Sequence, residues 1–455
     1  MHVTDYFIPV KLNLKPKLNY FDLTMIIISL VIGIGIFRVP SIIAQKAQTP
    51  FVFYSAWVVG GLIAACGALI FAEIGSRLPL AGGFYKIFSH CYHPVLAFMF
   101  NWTQIIINAG STAIVGMIGA EYINPLMPLQ MQNDGGIKIT VTVLVFFLVG
   151  LNYVGIKTGA KTQNVLSSIK IGMILLFCSA IFFTHRSNTI IETQPTTYFD
   201  WLGAFGLTLV PVFFTFGGYQ QTVNFGADVN EPQRNLPKAV FTAIALIIFL
   251  YLSINIVYVN VLGFEGVKNA KLLAAELAQS FLGDVGFKIT SVAIFISVCG
   301  YVNASLMSSP RIYLAMAEDE MLPAAFKKIN EKTQVQEFAL LFFAAVIIVS
   351  LFMLQTFDKI LNYVMFMDSL GLAVAGGAIF ILRKRERKQA PVYSGYKLKP
   401  YPLLPVIFVS FLTWIAYSAL RTDPKNALIG FGLFLFGLPL FYLIKRINKK
   451  IKRDQ

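Results

Sequence analysis

The sequence predicts an all-α integral membrane protein with twelve transmembrane helices. Three observations predict it. Of the 455 residues, 56% are hydrophobic and only 13% are charged, whereas roughly a quarter of a soluble domain is charged. Apolar runs of about 18 to 25 residues recur along the chain, the length a helix needs to cross hydrocarbon. Lys and Arg gather in alternate connections between those runs, the pattern that orients membrane proteins.

The spans fall near residues 21–46, 51–76, 95–121, 138–155, 163–184, 200–226, 238–262, 287–316, 336–356, 358–382, 401–420 and 426–444. With the N-terminus inside, the inner connections collect roughly 26 Lys and Arg and the outer ones roughly 10. The inner set includes Arg77, Lys86, Lys157, Lys161, Arg234, the run from Arg383 to Lys388, and the tail from Lys445 to Arg453. Both termini are therefore expected in the cytoplasm, and the membrane is expected to be the plasma membrane. The same asymmetry accounts for the formal net charge of +15, so a nucleic-acid partner is not expected. Residues 1–20 are polar and carry Lys11, Lys15 and Lys17, so no cleavable signal peptide is expected.

The four Cys (Cys66, Cys91, Cys178, Cys299) form no CxxC, and the four His (His2, His90, His93, His185) lie in or beside loops. Neither a metal site, a cofactor nor a disulfide framework is indicated. The longest outer connection runs from about Gly263 to Lys288, and its centre, Lys271 to Ala278, has helix-forming composition. A short helix over the outer face is expected there.

Two spans are not uniform. The first contains Ser29-Leu30-Val31-Ile32-Gly33-Ile34-Gly35-Ile36-Phe37-Arg38-Val39-Pro40, with poor helix formers at mid-span. A helix broken in hydrocarbon leaves backbone groups unpaired, at several kcal/mol each. Either a polar ligand satisfies them, or the small residues serve close helix packing. The i, i+2 spacing argues against packing, because residues two apart point to different sides. The sixth span repeats the feature in Phe213-Phe214-Thr215-Phe216-Gly217-Gly218-Tyr219-Gln220-Gln221. An odd number of spans separates the breaks, so the two broken helices cross in opposite directions. Interrupted segments at matching positions of two inverted halves point to a transporter's binding site. Spans one to five and six to ten would be the repeats, with spans eleven and twelve added.

Gly33-Ile34-Gly35-Ile36-Phe37 resembles the Gly-Ser/Ala-Gly-Ile-Phe signature of the amino acid–polyamine–organocation transporters. Ala72-Glu73-Ile74-Gly75 and Pro79 to Tyr85 resemble their second conserved block. Phe214 through Gly217-Gly218-Tyr219 to Glu231-Pro232, and Asn303 to Arg311, are similar to the L-type amino acid transporter branch. The resemblance covers about residues 20–445. It implies the leucine-transporter-type fold, a 5+5 inverted repeat plus two helices with helices 1 and 6 discontinuous. It divides the chain into a tail (1–20), a transport core (21–400, with repeats 21–185 and 200–383), helices 11 and 12 (401–445) and a second tail (446–455). The substrate class it implies is amino acids. Two departures stand out: Ile34 occupies a place usually held by Ser or Ala, and Glu231 replaces an Asn before Pro232.

An amino acid is a zwitterion and needs donors for its carboxylate and acceptors for its ammonium. The half-helix after the first break offers free N–H groups and a positive dipole end, which assigns the carboxylate to the amides of Ile34, Gly35 and Ile36. Helix ends before a break offer free carbonyls, and the resemblance places the ammonium on those of Val31, Phe214 and Gly217. Gly33, Phe216, Gly218 and Gln220 complete the expected site, and Phe214 is implied as its gate.

Lys170 lies nine residues beyond Lys161 in the fifth span, roughly 13 Å into a core about 30 Å thick. That is too deep for snorkelling, and an ionisable group inside a membrane is a functional hypothesis by default. The resemblance implies that its ammonium replaces a sodium ion between the first and eighth spans, with Ser305 as partner. Asp368, ten residues after Asp358, lies roughly 15 Å deep, where the human L-type branch has Asn. It either faces the site or is a structural carboxyl beside Asn362 or Ser369. Glu73 and Arg77 read as a local i, i+4 ion pair, and Arg234 and Arg311 as interfacial or inner-gate contacts.

The expected function is secondary transport of amino acids by alternating access. Lys170 leans the reading toward coupling to protons, with sodium-independent exchange as the alternative. A membrane enzyme would need a nucleophile or metal cluster at depth, and the sequence shows neither. A channel or sensor is the alternative of another class. The expected partners are the amino acid, the lipid bilayer and protons. The assigned outer loops contain no Cys, which argues against a disulfide-linked partner chain.

Overall fold

In the computed structural model, which describes residues 18–80, 82–154, 156–179, 198–226, 229–353, 357–387, 393–422 and 424–451, the first apolar run folds as two helices. These are α1 (Tyr20–Val31) and α2 (Gly35–Ala47). Then follow α3 (Pro50–Arg77), α4 (Gly83–Cys91), α5 (Pro94–Ile123), α6 (Asp134–Val154) and α7 (Ile156–Ser179). The second half holds α8 (Tyr198–Phe216), α9 (Pro232–Asn269), α10 (Leu273–Glu318), α11 (Glu337–Met353) and α12 (Phe357–Glu386). Helices α13 (Leu403–Thr422) and α14 (Pro424–Ile451) close the chain.

Counting α1 and α2 as one, ten helical stretches among the described residues are long and apolar enough to cross a membrane. Helices α8 and α11 fall at the remaining expected positions, and α11 is short at 17 residues. His2, Lys11, Lys15, Lys17, Ala81, His185 and Lys388 lie outside the described residues, as do the side chains of Lys157, Lys161, Asp358 and Asn362.

Local signals explain the boundaries. Asn19 and Asp22 form a reciprocal capping box that starts α1. Thr49 caps α3, with Pro50 in its first turn. Helix α4 was not expected from the sequence. Its nine residues are too few for a span, and it follows Gly82, where φ is +98°.

Helix α1 is apolar and buried on nearly every side, as befits a helix at the centre of a bundle. It packs on α9 and α7, while α2 packs on α8 and α9. Helices α6 and α14 instead expose large apolar side chains, among them Phe146, Phe147, Leu435 and Phe436. Those faces meet lipid.

Gly263 and Gly283 take left-handed φ values of 74° and 62° and kink α9 and α10. Between the kinks lies the expected short helix, beginning at Leu273 rather than Lys271. The segment just before it is tied to α2, because Ser41 donates to the Ala270 carbonyl at 2.9 Å and Gln45 to that of Lys268 at 2.8 Å.

Glu73 and Arg77 form more than the local pair expected. The fully buried Glu73 carboxylate also accepts two hydrogen bonds from Arg383, at 2.9 and 2.6 Å, and one from the Leu398 amide at 2.7 Å. Arg77 bridges on to Glu386 at 3.0 Å. The network joins α3, α12 and the segment before α13. A buried carboxylate is tolerated when its lone pairs are filled in this way.

Candidate functional site

The chain is broken where its glycines predicted. Helix α1 ends at Val31, and the Ile32 and Gly33 amides fold back onto the carbonyls of Ile28 and Val31, both at 2.7 Å. Helix α2 then starts at Gly35. Helix α8 ends at Phe216, and a 3₁₀ turn runs over Tyr219–Asn224. Between them Gly218 adopts a φ of 120°, which only glycine reaches without strain. The two breaks also touch. A Cβ on Gly218 would lie 2.4 Å from the Leu30 carbonyl oxygen, and one on Gly35 2.8 Å from the Thr215 methyl. The glycines therefore permit the break and let its two halves meet.

A cavity opens between the breaks, with about 730 Å³ of space not filled by atoms, part of it open to solvent. That is within the range of small-molecule sites. Val31, Gly33, Ile34, Gly35, Phe214, Gly217, Gly218, Gln220 and Asp368 line it, as expected from the sequence. Two expected residues do not. Phe216 is fully buried against Trp57 and Tyr251, because two residues along a helix turn its ring away from Phe214. The Ile36 side chain is also buried in the core. Asn108 and Ser111 of α5 and Tyr301 of α10 line the cavity as well. No local break marks these three in the sequence; only helix packing brings them to the site.

The cavity's polar groups have the expected signs. The first amides of α2 have no intrahelical acceptor, except that Phe37 reaches the Ile34 carbonyl at 3.0 Å. The carbonyls are partly engaged. That of Val31 accepts from the Gly33 amide and from the Tyr251 hydroxyl at 3.0 Å, and that of Phe214 from the Gly217 amide at 3.0 Å. Both lone pairs of the Val31 carbonyl are thereby engaged. The Gln220 side chain is turned back to accept from the Gly218 amide at 2.8 Å, bracing the second break.

Lys170 is fully buried on α7. Its ammonium donates to the Ser29 hydroxyl at 3.0 Å and to the carbonyls of Ser29 at 3.2 Å and Ile32 at 2.8 Å. It thus sits on the carbonyl end of α1, where a cation is favoured. Ser305 is not its partner. The Ser305 hydroxyl pairs with that of Thr112 at 2.7 Å, since α10 presents it to α5 rather than to α7.

Asp368 on α12 is half-buried and faces the cavity. Its hydrogen bond comes from Gln104 of α5, at 3.0 Å, and not from Ser369, whose hydroxyl is buried without a partner. Of the other expected contacts, Arg234 is exposed beside Glu231 at 3.6 Å. Arg311 is buried over the Phe225 ring, 4.6 Å from its centre. Arg38 pairs with Glu121 of α5, a partner the sequence did not indicate. Among the described residues, no cluster of His, Cys, Asp or Glu could hold a metal ion.

A sequence model described as Amino acid permease matches residues 18–443. The serine/threonine exchanger SteT of Bacillus subtilis (strain 168) is 27% identical over 95% of this chain and 98% of its own. The large neutral amino acids transporter small subunit 2 of Homo sapiens is 25% identical over 94% of this chain and 80% of its own. The cystine/glutamate transporter of Homo sapiens is 25% identical, over 97% and 87%.

Proposed function

The chain belongs to the amino acid permease family, and from that premise we propose that it exchanges amino acids across the membrane without sodium, by alternating access at the two helix breaks. The observation that carries this reading is the juxtaposition of the breaks around one cavity. Donors from the start of α2 meet the carboxylate, and carbonyls of Val31, Phe214 and Gly217 meet the ammonium. Phe214, at the cavity wall, serves as the gate. Backbone groups read what all amino acids share; side chains of α5, α10 and α12 read the rest.

Lys170 supports sodium independence. Its three donors fill the carbonyl end of α1 from within the protein, so no ion is needed there. That one relative is named an exchanger supports exchange. Proton symport is the second reading, favoured by two ionisable groups at membrane depth, Lys170 and Asp368. The topology proposed is twelve spans in a leucine-transporter-type arrangement, with repeats over 21–185 and 200–383, helices over 401–445, and both termini in the cytoplasm of a plasma-membrane protein.

Purified protein in liposomes tests the proposal. Uptake of labelled amino acids is expected to rise when amino acid is preloaded inside and to ignore sodium and a proton gradient. Uptake that requires the proton gradient, with no response to preloading, would replace exchange by symport.

A further inference from the structure

We propose that the cavity takes an amino acid whose side chain is positively charged, with Asp368 as its counter-charge. This rests on the reading of the breaks as the site of the substrate's common carboxylate and ammonium. Among the described residues lining the cavity, Asp368 is the only carboxylate, and no Lys, Arg or His lines it. Nor does Asp368 take part in any ion pair among the described residues. Its one partner is the neutral Gln104 amide, which holds Oδ1. An ionised carboxylate can accept about four hydrogen bonds, so most of that capacity is unfilled among the described residues.

The rest of the molecule treats such a group differently. Glu73, which is fully buried, is given two guanidinium groups and a backbone amide. A buried charge without a counter-charge is costly. At Asp368 the counter-charge can arrive only through the cavity, and an ammonium or guanidinium at the end of a substrate side chain supplies it. The wall between is suited to a polar chain, since Asn108, Ser111 and Tyr301 line it. Gln104 acts as a positioning residue.

The test uses matched pairs in liposomes containing the full chain: lysine against norleucine, and arginine against citrulline. Lysine and arginine are expected to be carried in preference. Asp368→Asn is expected to lower lysine uptake by roughly 30-fold while norleucine uptake persists, the loss typical of removing one partner of a buried charge pair. Gln104→Ala should shift the same ratio in the same direction, by less. Equal uptake within each pair, unmoved by Asp368→Asn, overturns the proposal but leaves amino acid transport intact. So does neutral uptake whose proton dependence vanishes in Asp368→Asn, which would make Asp368 a proton carrier. Failure to carry any amino acid overturns the underlying reading and the proposal together. Should Asp368→Asn not fold, thermal stabilisation of the unaltered protein by lysine and not by norleucine carries the same test, and equal stabilisation overturns it.

Discussion

Lys170 and Asp368 are both ionisable groups in the transmembrane part of one chain, and the fold deals with them in opposite ways. Lys170 is sealed from solvent, and all three of its donors are consumed by Ser29 and Ile32 at the end of α1. Asp368 receives one hydrogen bond from Gln104 and is open to the cavity. Depth alone therefore does not identify a ligand-binding charge. What separates the two is whether protein groups have already filled the side chain's hydrogen-bonding capacity. Lys170 holds the end of the broken helix; Asp368 has hydrogen-bonding capacity left over. Glu73 belongs with Lys170, because Arg77, Arg383 and the Leu398 amide satisfy it completely.

The comparison breaks first, and most visibly, at Glu73. Glu73→Gln removes the fully buried carboxylate that pairs with Arg383 and shares Arg77 with Glu386, and is expected to cost about 3–5 kcal/mol of stability, read as a lowered melting temperature in detergent. Lys170→Met comes next. It orphans the Ser29 and Ile32 carbonyls, at about 1–3 kcal/mol each, and is expected to abolish uptake because the first break loses its support. Unchanged transport in this variant would refute the supporting role of Lys170.

Ser305→Ala sharpens the contrast from the other side. It removes one hydrogen bond to Thr112, worth about 1 kcal/mol, and should leave the ion dependence of uptake as it was. A change in ion dependence would restore Ser305 to the coupling path. The smallest expected effect on stability is that of Asp368→Asn. Its amide oxygen still accepts from Gln104 and a poorly paired charge is removed, so the melting temperature should hold or rise. A loss as large as that of Glu73→Gln would show that Asp368 is structural after all.

Much of this was legible in the sequence. Apolar runs, breaks at Gly33-Ile34-Gly35 and Gly217-Gly218, and charges at Lys170 and Asp368 all follow from residue chemistry against a hydrocarbon solvent, where each polar group is conspicuous. The order of helices and the residues of the breaks that line the cavity were determined in that way. Partners were not. Ser305 turned to Thr112, Phe216 turned to the core, and Asp368 found Gln104, 264 positions away in the chain. The Glu73–Arg77 pair proved to be one corner of a network that reaches Leu398. Sequence spacing fixes which residues share a helix face, but the rotation and approach of one helix on another are set by side-chain packing over the whole bundle. That packing decides which face meets which, and so which charge inside the bundle is satisfied and which is left without a counter-charge.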